Sequence, residues 1–167
     1  ELGPSLGARI AMCVPEGGSN IELMSPAVPE APLAQSLQRF LDRRGQGLFK
    51  QNVQRIERIC RITKVDQVEH LRASHCKPWR DSNNSERLDG ENGLLLTPDV
   101  DHLFDRGFIG FEDDGRVLVS PVAHRESLRK MGLEEALRGN VGAFTEGQKA
   151  YLSFHRESVF LEARYNR

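Results

Sequence analysis

The segment Ala73 to Ile109 constrains this 167-residue chain most, because its polar chemistry and its apolar periodicity change together. Val68 to Cys76 reads as a strand carrying His75 near its end. Lys77 to Glu91 is a long polar loop containing Pro78, Asn83, Asn84 and Gly90. Asn92 then precedes a short apolar strand, Gly93 to Leu96. Pro98 suits the first position of a helix running to about Asp105, with Thr97 as N-cap and Gly107 as the stop. A histidine on one strand, an asparagine heading a second, and a helix that opens with acids is the predicted order.

The flanks are mostly helical. Leu33 to Arg44 and Leu48 to Cys60 read as helices split by Gly45-Gln46-Gly47, with Phe49, Val53, Ile56 and Ile59 on one buried face. Phe108 to Phe111 and Arg116 to Ser120 flank an Asp-Gly turn and predict a hairpin. Arg125 to Met131, Leu133 to Arg138 and Glu146 to Phe160 read as closing helices. Ala8 to Val14 and Ile21 to Met24 suggest an N-terminal hairpin, and Ser25 to Pro32 a proline-spaced linker. The expected organisation is therefore an N-terminal hairpin and linker over 1–32, a central domain over 33–124 and a helical extension over 125–167 packing on it. The start at Glu1, with neither Met nor a signal pattern, reads as a piece of a larger parent protein.

Composition excludes several classes. A hydrophobic content of 38% can bury a modest core, and no apolar run is long enough to span a bilayer. Cys13, Cys60 and Cys76 form no C-x-x-C pair, so neither a disulfide framework nor a cysteine zinc site is indicated, and a reducing cytoplasm is the simplest setting. The net charge of −1 argues against a generic nucleic-acid coat protein, but the charges are not evenly spread. Basic residues dominate from Arg39 to Lys64, and acids concentrate from Asp89 to Asp114. One region could hold phosphate and the other a cation; a merely solvated helix face would look the same.

The motifs Ala73-Ser74-His75-Cys76-Lys77-Pro78-Trp79, Glu86-Arg87-Leu88-Asp89-Gly90-Glu91-Asn92-Gly93-Leu94-Leu95-Leu96 and Asp101-His102-Leu103-Phe104-Asp105-Arg106-Gly107 resemble the HNH endonuclease family. They match the branch that reads A-S-H-x-K-P-W, E-R-L-D-x-x-N-G-L-L-L and D-x-L-F-D-x-G, over about Arg44 to Pro121. The resemblance implies an α+β fold: a ββα-metal core with flanking helices and a C-terminal β-hairpin. It implies a phosphodiester hydrolase acting on DNA, with His75 as general base and Asn92 as the residue that orients it. An Asn-Gly turn is the bland reading of Asn92. Asp101, nine residues after Asn92, takes the helical metal-ligand position. Asp105, one turn later on the same face, is either a second ligand or a structural cap. His102 is a weaker ligand candidate. Oxygen donors favour Mg²⁺ or Mn²⁺, and Ser74 stands where many relatives carry a stronger ligand, which implies loose metal binding. Lys77, Arg80 and Arg87 are the expected phosphate contacts. Related nucleases often serve restriction or anti-phage defence, fused to a recognition domain. The competing expectation is an HNH-like nucleic-acid-binding module with weak or lost catalysis.

Overall fold

The computed structural model describes residues 44–162. The hairpin and linker expected over 1–32, and the helix expected from Leu33, lie outside the described residues. The first described helix, α1, covers 44–56 and runs through Gly45-Gln46-Gly47, where a break was expected. Tertiary contact outweighs the roughly 1 kcal/mol helix penalty of each glycine. A Cβ at Gly45 would stand only 3.3 Å from the Trp79 ring, so the glycine lets helix and ring approach.

The helix also stops short of Cys60, and its buried face is not the purely apolar one expected. Phe49, Val53, Glu57 and Cys60 are buried, whereas Ile56 and Ile59 are half-buried. Glu57 can turn inward because its carboxylate is satisfied. Arg61 reaches it with Nε and Nη2, the closest approach being 2.7 Å, and Gln148 Nε2 donates at 2.7 Å.

Strands β1 (Arg72–His75) and β2 (Gly93–Leu96) pair antiparallel, with Arg72 opposite Leu96 and His75 opposite Gly93. The expected longer first strand is cut to four residues because β2 supplies only four partners. Val68–His70 is instead a 3-10 turn, and the ammonium of Lys50 caps the carbonyls of Val68 and Leu71. All four β2 residues are buried, which accounts for an apolar run without polar alternation. A side chain at Gly93 would run into Val53 and Phe49 of α1.

Helix α2 (Pro98–Asp105) packs on this pair with Pro98 in its first turn. Thr97 occupies the N-cap without a capping hydrogen bond from its hydroxyl. The chain turns at Gly107 into the expected hairpin, β3 (Ile109–Phe111) with β4 (Val117–Val119). Helix α3 covers Arg125–Lys130. The helix expected over Leu133–Arg138 reduces to a single 3-10 turn, Ala136–Arg138, since Gly132 and Gly139 leave too few residues between them. Helix α4 (Glu146–Ser158) opens with a full capping box between Thr145 and Gln148.

The architecture is α+β: a two-stranded antiparallel pair and a helix, enclosed by further helices and followed by a hairpin. Its core runs from Phe49 and Val53 through Leu94, Leu95 and Leu96 to Val100, Phe104, Phe111 and Leu152. Among the described residues no helix is long and apolar enough to cross a membrane.

Candidate functional site

His75 closes β1 and is held on three sides. Its ring stacks on Phe49 at 3.6 Å between centroids with an 8° interplanar angle, and meets Trp79 edge-on at 5.7 Å. Nε2 lies 3.1 Å from the carbonyl oxygen of Arg87. A carbonyl can only accept, so Nε2 carries the proton and Nδ1 keeps the lone pair of the neutral ring. Burial pulls the pKa of His75 below its ordinary value; the bond to Arg87 partly opposes this. The ring is thus set up as a neutral, oriented base.

Asn92 is fully buried. Its Oδ1 accepts from the Lys77 amide at 2.8 Å, while Nδ2 donates to the Glu86 carbonyl at 3.0 Å and the Lys77 carbonyl at 3.3 Å. The long loop is therefore stapled at both ends to one side chain. That loop carries the Arg87 carbonyl against which His75 is oriented. Helix α4 supports the same corner: Tyr151 donates to Asp89 Oδ2 at 2.9 Å, Asp89 Oδ1 accepts from the Glu91 amide, and the Thr145 hydroxyl bonds the Glu91 carboxylate. Further along α4, His155 stacks on Phe104 at 3.9 Å and donates from Nε2 to the Phe104 carbonyl at 2.9 Å. One helix thus braces both the Asn92 turn and the end of α2. This brace joins residues up to 62 positions apart, so no local pattern announces it.

Asp101 and Asp105 lie one turn apart on α2, on the face toward β1. Asp101 is buried, and Arg72 Nη1 stands 3.3 Å from its Oδ2. Asp105 Oδ1 accepts from the Ser74 hydroxyl at 3.0 Å, rather than capping the turn at Gly107, whose amide bonds the Phe104 carbonyl. Burial first, and the charge of Asp101 second, hold the Asp105 carboxyl above its ordinary pKa. The pair carries negative charge that Arg72 only partly offsets, which suits an added cation.

A cleft of about 780 Å³ brings His75, Ser74, Asp101 and Asp105 together with Trp79, Arg72, Arg80 and Arg106. His102 is exposed and does not line it. Among the described residues, no three of His, Cys, Asp and Glu gather to hold a metal. The carboxylates that line this cleft are Asp101 and Asp105, hard oxygen donors for a divalent cation whose other positions water would fill.

The expected phosphate contacts are placed differently from one another. Arg80 is exposed at the cleft, beside Asp81 at 3.3 Å. The Lys77 ammonium lies 2.8 Å from both carboxylate oxygens of Glu86. Arg87 donates to the Trp79 carbonyl at 3.1 Å and covers the Trp79 ring at 4.9 Å. Sequence reasoning missed Arg72 and Arg106 as cleft cations. Strand alternation offered one signal, because Arg72 and Ser74 share a face of β1. Cys60 and Cys76 are buried free thiols.

Residues 60–112 match the family model described as HNH endonuclease, a span that contains His75, Asn92, Asp101 and Asp105. No curated protein matches the chain. HNH nucleases generally use a divalent metal, and the two carboxylates that line the cleft with His75 are hard oxygen donors suited to one. The match covers residues 60–112, and that segment carries the likeness to the HNH endonuclease family on a ββα arrangement.

Proposed function

We propose that this protein is a metal-dependent DNA endonuclease in which His75 activates water against a phosphodiester. The observation that carries the reading is the single cleft holding an oriented histidine base opposite two α2 carboxylates. Nδ1 of His75 takes a proton from water, the resulting hydroxide oxygen bonds to phosphorus, and the bond from phosphorus to the 3′ oxygen breaks. Asp101 and Asp105 would hold Mg²⁺ or Mn²⁺, which would neutralise charge on the phosphate and on the departing oxygen. Asn92 keeps the loop, and hence the Arg87 carbonyl, in place behind His75. Arg80, exposed at the cleft, is the first phosphate contact. Lys77 and Arg87 join it by exchanging their bonds to Glu86 and to the Trp79 carbonyl.

The unit that acts is residues 33–124 with 125–167 as its bracing extension, a division supported by the contacts of α4 with Asp89 and Phe104. We place the protein in the cytoplasm, as the effector of a restriction or anti-phage system with a fused or associated recognition domain. Motif resemblance supports that role, and the buried free thiols suit a reducing compartment. The second reading is an HNH-like nucleic-acid-binding module with weak catalysis, favoured by the Arg72 guanidinium already resting on Asp101.

Nicking of supercoiled plasmid by the full chain separates the two. Cleavage with Mg²⁺ or Mn²⁺ that EDTA stops, and that falls about 10²–10⁴-fold in His75→Ala, supports the nuclease. Plasmid binding without nicking in either metal supports the binding module. Undiminished nicking in excess EDTA would overturn the metal mechanism.

A further inference from the structure

We propose that Arg72 is an internal counter-cation that exchanges with the catalytic metal, so that metal and DNA bind this cleft cooperatively. The inference rests on the reading of Asp101 as a metal ligand and adds a residue and a coupling to it. The guanidinium of Arg72 meets Asp101 through one nitrogen at 3.3 Å, longer than the 2.7–2.9 Å typical of a charge-assisted bond. The two partners differ sharply in exposure: the Arg72 side chain is 64% exposed and that of Asp101 11%. A buried carboxylate needs a positive partner, whereas an exposed guanidinium released into water loses little.

A divalent cation at Asp101 satisfies the carboxylate and repels the guanidinium, so the two exclude each other. Around them lie Asp105 with its Ser74 partner, and the cleft cations Arg80 and Arg106. Asp105 already accepts from the Ser74 hydroxyl through Oδ1. Released Arg72 therefore swings along the edge of β1 into a cleft already lined by arginines, where the charge it lacks is phosphate. Lys77 is not coupled to the metal in this way, since its ammonium rests on Glu86 and neither acid of the site touches it. Metal loading thus frees a phosphate-binding group, and by linkage DNA raises metal affinity equally.

The test uses the full chain and two binding measurements that need no turnover. Mn²⁺ affinity is read from the electron paramagnetic resonance signal of free Mn²⁺, for wild type, Arg72→Gln, Arg72→Lys and Asp101→Asn. Affinity for a short fluorescein-labelled duplex is read by anisotropy, with and without Mn²⁺, in His75→Ala protein so that the duplex survives. The expected result is about fivefold tighter Mn²⁺ binding in Arg72→Gln without DNA. In the same variant, Mn²⁺ strengthens duplex binding about fivefold less than in protein retaining Arg72. Arg72→Lys, which keeps the charge, stays near wild type in both. Unchanged Mn²⁺ affinity in Arg72→Gln, with weakened affinity in Asp101→Asn, would overturn the exchange and leave the metal reading standing. Mn²⁺ affinity unchanged in Asp101→Asn would overturn the metal reading itself.

Discussion

Replacing Asn92 with alanine separates the staple from the chemistry it serves. In the native protein this fully buried amide bonds the Lys77 amide at 2.8 Å, the Glu86 carbonyl at 3.0 Å and the Lys77 carbonyl at 3.3 Å. Alanine removes the side-chain partner of all three bonds at once. The Lys77 amide is then left without a partner, at a cost of about 1–3 kcal/mol, while the Glu86 carbonyl keeps the Asp89 amide at 3.4 Å. That cost is a fraction of the roughly 5–15 kcal/mol typical of a domain, so the variant should remain folded. The loop then no longer fixes the Arg87 carbonyl 3.1 Å from His75 Nε2. Nicking should fall about 10²-fold as the base loses its orientation. Asp101 and Asp105 sit on α2 and bond Arg72 and Ser74 of β1 rather than this loop, so Mn²⁺ affinity should change little. Urea unfolding, plasmid nicking and Mn²⁺ titration of the same preparation give the three numbers. A stability loss with undiminished nicking would refute the orienting role, and no stability loss would refute the staple.

Three further outcomes follow from the same geometry. Burial lowers the His155 pKa to about 4, against an ordinary 6.5, and its Nδ1 has no hydrogen-bond partner among the described residues, so the folded state resists protonation. Its contribution is fully present above pH 6.5 and lost as pH falls toward 4, about 3 kcal/mol in all; urea unfolding should show this loss in wild type and not in His155→Phe, and parallel pH curves for the two would reject it. Nicking should require neutral His75, so its acidic limb should have a midpoint below 6.5, with activity above it and loss beneath; a midpoint above 7 would contradict the depressed pKa. Asp105→Asn keeps an acceptor for Ser74 and removes charge facing Asp101, so the melting temperature should hold or rise while Mn²⁺ affinity falls; a lower melting temperature with unchanged Mn²⁺ binding would make Asp105 structural.

The sequence alone determined the order of the site. His75 before a long loop, Asn92 at the head of a four-residue apolar strand, and acids one turn apart on a helix begun by Pro98 are consequences of spacing along the chain. Such spacing fixes strand alternation and helix faces before any tertiary contact forms. The hairpin around Gly115 and the capping box at Thr145 are local in the same sense. Tertiary structure decided the rest, because those contacts join residues far apart in the chain. Glu57 is buried against Arg61, four positions on, and Gln148, 91 positions later, where an apolar face was expected. Helix α1 continues through Gly45, against which Trp79 lies, and on through Gly47. Arg72 meets Asp101 across 29 positions, and Tyr151 meets Asp89 across 62. Which cations face the cleft and which are already paired is therefore a property of the folded chain, set by where its elements pack.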